Sequence, residues 1–535
     1  MPGTITIRDR NLPNTKRRCD TTKLMPITLG TAKWFEFPKG VRPAFEHGDL
    51  FLGKTLDGDP VGVKNDSHIL ACAGTRSGKG TSLIIPNIIL AQGSIVVIDP
   101  KGENAIVTAR ERANGSNYCY GKKHKVVLLD PMGEVRTEHD PFDDLRGCFN
   151  PLDLLRDNKN EAVDCAARIA DALVVSENNN ESFWDDSAKD IIAAISLHVA
   201  SSKDFDDDQR NLCTVRDLFH TGYHKLRAII AANDPNGKAP SAYHLMFRAM
   251  SKNKAYDGEV AKQGLRLMML QDQSGRTMAG AAQVAMTNLN FLASKQMRTC
   301  VSKSSFKLSE LKTDPKGVSL YVCLPQRYAE THFRWLRMIT TLILAEMERV
   351  KGQPCSGHSI LMVLDEFASL RRMKVIENAA AQIAGAGVQM AFIVQTLAQL
   401  KDVYKDNYET FVANANIKMF FCNHDHFTRE MVSKLAGETE IIKTAHNTSQ
   451  SQGGSSSYAR GSSHSVSNNS GTSGTSGWST GGDAKGGMQF SGSGSISSGH
   501  STTSGRSITD THGTSNTTGN SAAQSFHKRY LINPD

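Results

Sequence analysis

Residues 74–81, GTRSGKGT, have the composition of a loop that wraps the phosphates of a nucleotide. Such loops follow the pattern G-x-x-x-x-G-K-[ST], in which backbone amides and the lysine bind phosphate and the last hydroxyl binds magnesium. Ala73 takes the first glycine position and Gly80 the hydroxyl position, so Thr81, one residue late, would serve the metal directly or through water. The alternative is a glycine-rich turn with an incidental lysine. The candidate nucleotide-binding residues are Gly74, Thr75, Arg76, Ser77, Gly78, Lys79, Gly80 and Thr81.

An acidic pair in ILMVLDEF, residues 360–367, supplies the second half of this chemistry. Asp365 would join Thr81 in holding Mg²⁺, and Glu366 would polarise the water that attacks ATP. Acidic residues at strand ends are common, so the pair is a weak signal alone and a strong one together with the loop. Lys79 and Asp365 lie far apart in the sequence, which requires a large insertion between them.

Short apolar, β-branched runs alternate with helical patterns and position these residues. Because continuous apolar strands belong in a parallel sheet covered by helices, we predict an α/β fold with a mainly parallel sheet. Residues 155–305 have a helical pattern with few strand signals and are predicted to form an inserted all-α domain. The predicted strands are HILACA (68–73), SIVVID (94–99), KVVLLD (125–130), GVSLYVCLP (317–325), SILMVLD (359–365), MAFIVQ (390–395) and IKMFFC (417–422).

The remaining boundaries follow from composition. Residues 447–525 are rich in Ser, Gly, Thr and Asn and are predicted to be a disordered linker. Residues 526–535 carry apolar side chains, and we expect them to return to the α/β core; a fully disordered tail is the alternative. The expected order is an N-terminal segment (1–45), the two parts of the ATPase domain (46–154 and 306–446) around the helical insertion, the linker and the C-terminal segment.

Composition limits the classes of protein that this chain could be. The 535 residues include 62 basic and 54 acidic ones, and a net charge of +8 permits a polyanionic partner without requiring one. Ten scattered cysteines without a C-x-x-C pair indicate reduced thiols rather than a disulfide framework or a zinc site. Neither a long apolar run nor a signal peptide is apparent, so we expect a chain that neither spans a membrane nor is exported.

Several ordered motifs together resemble the type IV secretion coupling proteins, the conjugative DNA-transfer ATPases of the TraG/TraD kind. In that family Lys-Gly commonly replaces Lys-[ST] in the phosphate loop, so Gly80 agrees with the resemblance. The matching motifs are LGTAKW (29–34), TRSGKG (75–80), IDPKGE (98–103), FNPLD (149–153), FW (183–184), LDEFASL (364–370), IVQTLAQL (393–400) and YLINPD (530–535).

The resemblance implies a RecA-like P-loop NTPase with nucleotide bound between the subunits of a homohexamer. Lys79 would bind phosphate, Asp365 the metal, Glu366 would activate water and Gln395 would sense the γ-phosphate. Some members of the superfamily place an arginine finger eleven residues before that glutamine, where this chain has Ala384. A trans-acting cation would have to come from elsewhere.

The function implied is ATP-driven recruitment and transfer of single-stranded DNA with its relaxase, or of effector proteins, to a type IV secretion channel. Such proteins work at the cytoplasmic face of the bacterial inner membrane. Members usually begin with two transmembrane helices and continue past the final PD, so this chain is either a fragment or a member without its own anchor. A cytosolic DNA-translocating ATPase and a nucleotide-binding adaptor without turnover are the alternatives.

Overall fold

The chain forms two compact units, one of Met1–Cys19 with Phe37–Thr428 and one of Asp20–Glu36 with Arg429–Asp535. The computed structural model describes residues 6–9, 17–18, 41–43, 45–46, 48–55, 58–64, 66–175, 182–232, 240–455, 472–479, 491–498 and 513–530. None of the described helices is both long enough and apolar enough to cross a membrane.

The strands of the first unit form three sheets. Twelve strands are described there: β1 (Thr6–Asp9), β2 (Arg17–Arg18), β3 (Val41–Pro43), β4 (Leu50–Lys54), β5 (Pro60–Val63), β6 (His68–Ala73), β7 (Ile95–Ile98), β8 (Lys125–Leu129), β9 (Val318–Val322), β10 (Ile360–Leu364), β11 (Val388–Val394) and β12 (Ala415–Phe421). β2, β1 and β3 form a small antiparallel sheet, and β4 pairs with β5 as an antiparallel ladder.

A seven-stranded sheet in the order β12-β6-β11-β10-β7-β9-β8 is the centre of the first unit. All six of its neighbouring pairs are parallel. Its seven strands are those predicted from the apolar runs, so the prediction of a mainly parallel α/β sheet is confirmed. Every residue of β6, β7, β9, β10 and β11 is buried, as expected for strands covered on both faces.

Helices fill the chain between and after these strands. The described α-helices are α1 (Ile85–Leu90), α2 (Glu103–Asn114), α3 (Asp153–Asp157), α4 (Ala162–Leu173), α5 (Ser182–Ser201), α6 (Leu212–Thr221), α7 (His224–Ala232), α8 (Ala242–Met250), α9 (Glu259–Gln273), α10 (Gly275–Asn288), α11 (Lys295–Val301), α12 (Glu310–Thr313), α13 (Gln326–Arg349), α14 (Lys374–Gln382), α15 (Leu397–Tyr404), α16 (Tyr408–Asn414) and α17 (His426–Ala436). Between β8 and β9 the described residues contain helices and no strand of a sheet, in agreement with an all-α insertion. Its status as a separate domain stays a prediction, because it belongs to the same compact unit as the sheet.

The second unit contains paired strands, most of whose residues lie where the composition predicts a disordered linker. β13 (Glu438–Ser455) pairs antiparallel with β16 (Gly513–Tyr530), and β14 (Thr472–Ser479) pairs antiparallel with β15 (Ser491–Ser498). These pairs form through backbone hydrogen bonds, which Ser- and Thr-rich segments can make like any other residues. The rest of the predicted linker and residues 531–535, whose docking the sequence predicts, lie outside the described residues.

Candidate nucleotide site

Four adjacent strands of the central sheet each end at a residue of the candidate site. Gly74 follows β6, Gln395 follows β11, Asp365 follows β10 and Asp99 follows β7. These strands are neighbours and run in parallel, so their carboxyl ends share one edge of the sheet. Ligands of open α/β sheets bind at this edge.

The loop after β6 curls back on itself before the next helix. Arg76 and Gly78 have positive φ values of 60° and 82°. The Gly78 carbonyl accepts the amide of Ser82 at 2.9 Å and the Thr81 hydroxyl at 3.2 Å. A π-helical turn, Gly80–Ile84, then leads into α1. This sequence of strand, tight loop and helix start is the setting that a phosphate-binding loop needs.

Two glycines of this loop have different surroundings. A Cβ atom at Gly74 would lie 2.8 Å from the carbonyl oxygen of Cys422, so the close approach of the two backbones requires glycine. At Gly80 a Cβ atom would meet nothing within 4 Å. There is therefore room for a Ser or Thr side chain at this position, although the sequence has glycine.

Lys79 lies between the two acidic residues that follow β10. Its Nζ donates to Glu366 Oε1 at 2.8 Å and lies 3.6 Å from Asp365 Oδ1. The three side chains are largely shielded, with 15%, 16% and 11% of the surfaces of Lys79, Glu366 and Asp365 exposed. The structure thus brings together residues that are widely separated in sequence.

Gln395 completes this cluster from the strand between the loop and the acidic pair. Its Nε2 donates to Glu366 Oε2 at 2.9 Å, and its Oε1 accepts a long, 3.5 Å hydrogen bond from the Thr75 hydroxyl. Both carboxylate oxygens of Glu366 therefore have partners, one a lysine and the other an amide. Burial alone would raise the pKa of Glu366, but the hydrogen bond and charge of Lys79 hold that pKa below its usual value.

The backbone also fixes Glu366. The residue has a positive φ of 52°, and its amide donates to Asp365 Oδ1 at 3.0 Å. Phe367, the next residue, is fully buried and stacks on Tyr404 with ring centroids 5.4 Å apart. A non-glycine residue in the left-handed region persists only where its surroundings hold it, and the buried aromatic ring provides this anchor.

A second buried carboxylate lies behind Asp365. Asn104 Nδ2 donates to both Asp99 Oδ1 and Asp365 Oδ2 at 3.3 Å, and Asp99 Oδ2 accepts the amide of Ala105 at 2.9 Å. Burial raises the pKa of Asp365 and raises that of Asp99 to about 6. Asn104 therefore bridges two carboxylates and holds the orientation of Asp365.

The residues present fit a nucleotide with its magnesium. The Ser77 hydroxyl in the loop is buried and has no hydrogen-bond partner, and the space at Gly80 is open. A shielded lysine and a buried acidic side chain are the groups that such a ligand requires. Thr81 is the other candidate metal ligand. Its hydroxyl donates a hydrogen bond to the Gly78 carbonyl.

Comparison with known proteins identifies the family. The sequence profile of the family described as Type IV secretory system Conjugative DNA transfer matches residues 29–472. The chain belongs to this family. Its wholly parallel central sheet agrees with the RecA-like α/β fold that the resemblance implies.

Two relatives and one solved structure illustrate the similarity. The chain is 26% identical to protein VirD4 of Agrobacterium fabrum over a 437-residue alignment that covers 79% of this chain and 58% of VirD4. It is 26% identical to conjugal transfer protein TraG of Escherichia coli over a 400-residue alignment that covers 71% of this chain and 57% of TraG. A structure of the bacterial conjugative coupling protein TrwBdeltaN70 aligns over 73% of this chain and 77% of its own, with 15% identity and a TM-score of 0.49. The chain spans less than two thirds of the length of these curated relatives.

Two residues at the site of this family member were not predicted from the sequence. Asn104 bridges the carboxylates, and Lys101 Nζ lies 3.9 Å from Glu366 Oε1. The motif IDPKGE, which follows a predicted strand directly, was the available signal, but strand order was needed to place it beside Asp365. Ala384 lies in the 3₁₀ turn Ile383–Ala386 and brings no cation to the site.

Proposed function

We propose that this chain is the ATP-hydrolysing part of a type IV secretion coupling protein. It uses ATP with Mg²⁺ to recruit single-stranded DNA with its relaxase, or effector proteins, to the secretion channel. It acts as a homohexamer at the cytoplasmic face of the bacterial inner membrane. Membership in the conjugative DNA-transfer family and similarity to VirD4 and TraG support the assignment to a type IV secretion system.

One observation carries the proposal of hydrolysis. Two side chains from different loops donate hydrogen bonds to the carboxylate of Glu366: Lys79 Nζ at 2.8 Å and Gln395 Nε2 at 2.9 Å. A glycine-rich turn with an incidental lysine would not require this convergence. Nucleotide hydrolysis does require it, because a phosphate-binding cation, a base and a polar group that senses phosphate must meet at one point.

The ion pair between Lys79 and Glu366 suggests the order of events. The triphosphate competes with Glu366 for the Lys79 ammonium, which moves to the phosphate oxygens. Glu366 then has a free carboxylate oxygen with which to orient water and accept its proton, while Gln395 keeps the other oxygen in place. Asp365 and Thr81 would hold Mg²⁺, which offsets the negative charge of the phosphates when bound.

Paired substitutions test this assignment. Glu366→Gln keeps the shape of the side chain, so it should bind ATP with near-normal affinity and lose turnover. Lys79→Ala should weaken binding and turnover together, because it removes the phosphate-binding charge. Equilibrium binding of a fluorescent ATP analogue and steady-state phosphate release measure the two effects. Equal turnover in Glu366→Gln and wild type would remove Glu366 from the chemistry.

A nucleotide-binding adaptor without turnover is the second candidate. The alanine at position 384 favours it, because some members of the superfamily place an arginine finger at that position. The adaptor predicts that wild type and Glu366→Gln both bind ATP and both release it intact. The same binding and release measurements therefore separate the two candidates.

A further inference from the structure

A second lysine lies at the outer edge of the site. Lys101 is in the turn between β7 and α2, and its Nζ lies 3.9 Å from Glu366 Oε1, the oxygen that Lys79 contacts at 2.8 Å. Its side chain is 55% exposed, against 15% for Lys79. The two lysines thus approach one carboxylate oxygen, one from inside the loop and one from the solvent side.

The backbone that carries Lys101 is held firmly. Asp99 is fully buried, and its Oδ2 accepts the Ala105 amide while its carbonyl accepts the Gly102 amide at 3.2 Å. Gly102 has a φ of +71°, and a Cβ atom there would lie 3.3 Å from Val135. The turn therefore has little freedom, and Lys101 projects from a fixed point.

A structural role does not explain this lysine. An exposed lysine 3.9 Å from a carboxylate that already has a closer lysine adds little to stability. A second cation at that oxygen is useful in a different state, when Lys79 has moved to phosphate and negative charge is redistributed over the reacting group. Phosphoryl transfer depends on positive groups that meet that charge in the transition state.

We propose that Lys101 is a catalytic cation that contacts the transferred phosphoryl group from within the same subunit. The inference rests on the proposed ATPase function and adds a residue to it. In the step, water oxygen forms a bond to the γ-phosphorus and the bond to the β–γ bridging oxygen breaks, leaving its electron pair on ADP. The water proton passes to Glu366, and Lys101 keeps its own protons and offsets charge only.

The test compares three substitutions in the full chain. Lys101→Ala removes the cation, Lys101→Arg keeps a positive charge, and Lys316→Ala is a matched control that removes an exposed lysine before β9, at the opposite end of the strands. We expect Lys101→Ala to lower kcat on the order of 10²-fold, as removal of other transition-state donors does, with ATP affinity within about threefold of wild type. Lys101→Arg should recover at least part of the rate, and Lys316→Ala should match wild type.

Binding of ADP with aluminium fluoride and Mg²⁺, which mimics the transition state, provides a readout that is independent of turnover. Lys101→Ala should weaken binding of this complex about as much as it lowers kcat, while ADP binding is unchanged. Unchanged kcat in Lys101→Ala, or equal weakening of ADP and of the fluoride complex, would overturn the role of Lys101. An inactive wild type would instead overturn the proposed ATPase function, so the two failures are distinguishable.

Discussion

The two carboxylate oxygens of Glu366 accept hydrogen bonds from different residues, and this arrangement gives Lys79 and Gln395 different roles. Lys79 holds Oε1 and is the partner that phosphate would displace, whereas Gln395 holds Oε2. The glutamine is therefore expected to hold the base in place and to sense the γ-phosphate when ATP binds. Phosphate binding and water activation are linked through one side chain.

Replacement of Gln395 tests this division. Gln395→Ala removes the 2.9 Å hydrogen bond to Glu366 and leaves the loop intact, so hydrolysis should slow by about 10- to 100-fold with little loss of ATP affinity. Steady-state phosphate release and nucleotide titration give the two numbers. Gln399→Ala, an exposed glutamine in α15, serves as the control. A loss of affinity equal to the loss of rate would indicate that Gln395 binds nucleotide instead.

The two loop glycines make a prediction about stability. Gly74→Ala places a Cβ 2.8 Å from the Cys422 carbonyl and should lower the free energy of unfolding by about 1–3 kcal/mol. Gly80→Ala meets no atom within 4 Å at the start of the helical segment and should leave stability unchanged or raise it by up to about 1 kcal/mol. Denaturant unfolding of both variants measures the difference. Equal losses would contradict the backbone contact at Gly74.

At the scale of elements, the sequence predicted which segments form the central sheet but not which strands lie next to one another. Continuous apolar runs identified all seven strands of the central sheet, and the motif pair identified Lys79, Asp365 and Glu366. The contacts of Asn104 and Lys101 depend on β7 lying next to β10. The local pattern of apolar residues does not reveal the order of strands in a sheet. The paired strands β13 and β16 were not predicted, because Ser, Gly, Thr and Asn with few apolar residues are typical of a disordered linker.

Buried Asp99, in the turn between β7 and α2, should make the stability of the protein depend on pH. Burial raises the pKa of Asp99 from 3.8 to about 6, so the folded state favours the protonated form. The associated stability is present below about pH 4 and is lost as the pH rises through 6. Relative to Asp99→Asn, wild type should therefore lose about 2 kcal/mol of unfolding free energy between pH 4 and pH 7. Chemical unfolding across this range measures the difference, and a constant difference would contradict the assignment.

At the scale of the whole molecule, the proposed partner is a nucleic acid. A net charge of +8 over 535 residues is mild, so we propose that DNA contacts are concentrated on the inner surface of a hexamer and directed at the backbone. Affinity for single-stranded DNA should then fall about 10-fold or more between about 50 mM and about 200 mM salt, with little sequence preference. Fluorescence anisotropy with two unrelated oligonucleotides measures both effects. Salt-insensitive binding to one duplex sequence would contradict this proposal.

Single-turnover hydrolysis tests the central claim that the cluster of Lys79, Asp365, Glu366 and Gln395 cleaves ATP. Enzyme in excess is mixed with labelled ATP and Mg²⁺, and the fraction cleaved is followed with time for wild type and Glu366→Gln. We predict complete cleavage by wild type in one exponential phase, and bound but largely uncleaved ATP in the variant. ATP that stays intact on wild type, or cleavage by Glu366→Gln at the wild-type rate, would contradict the account.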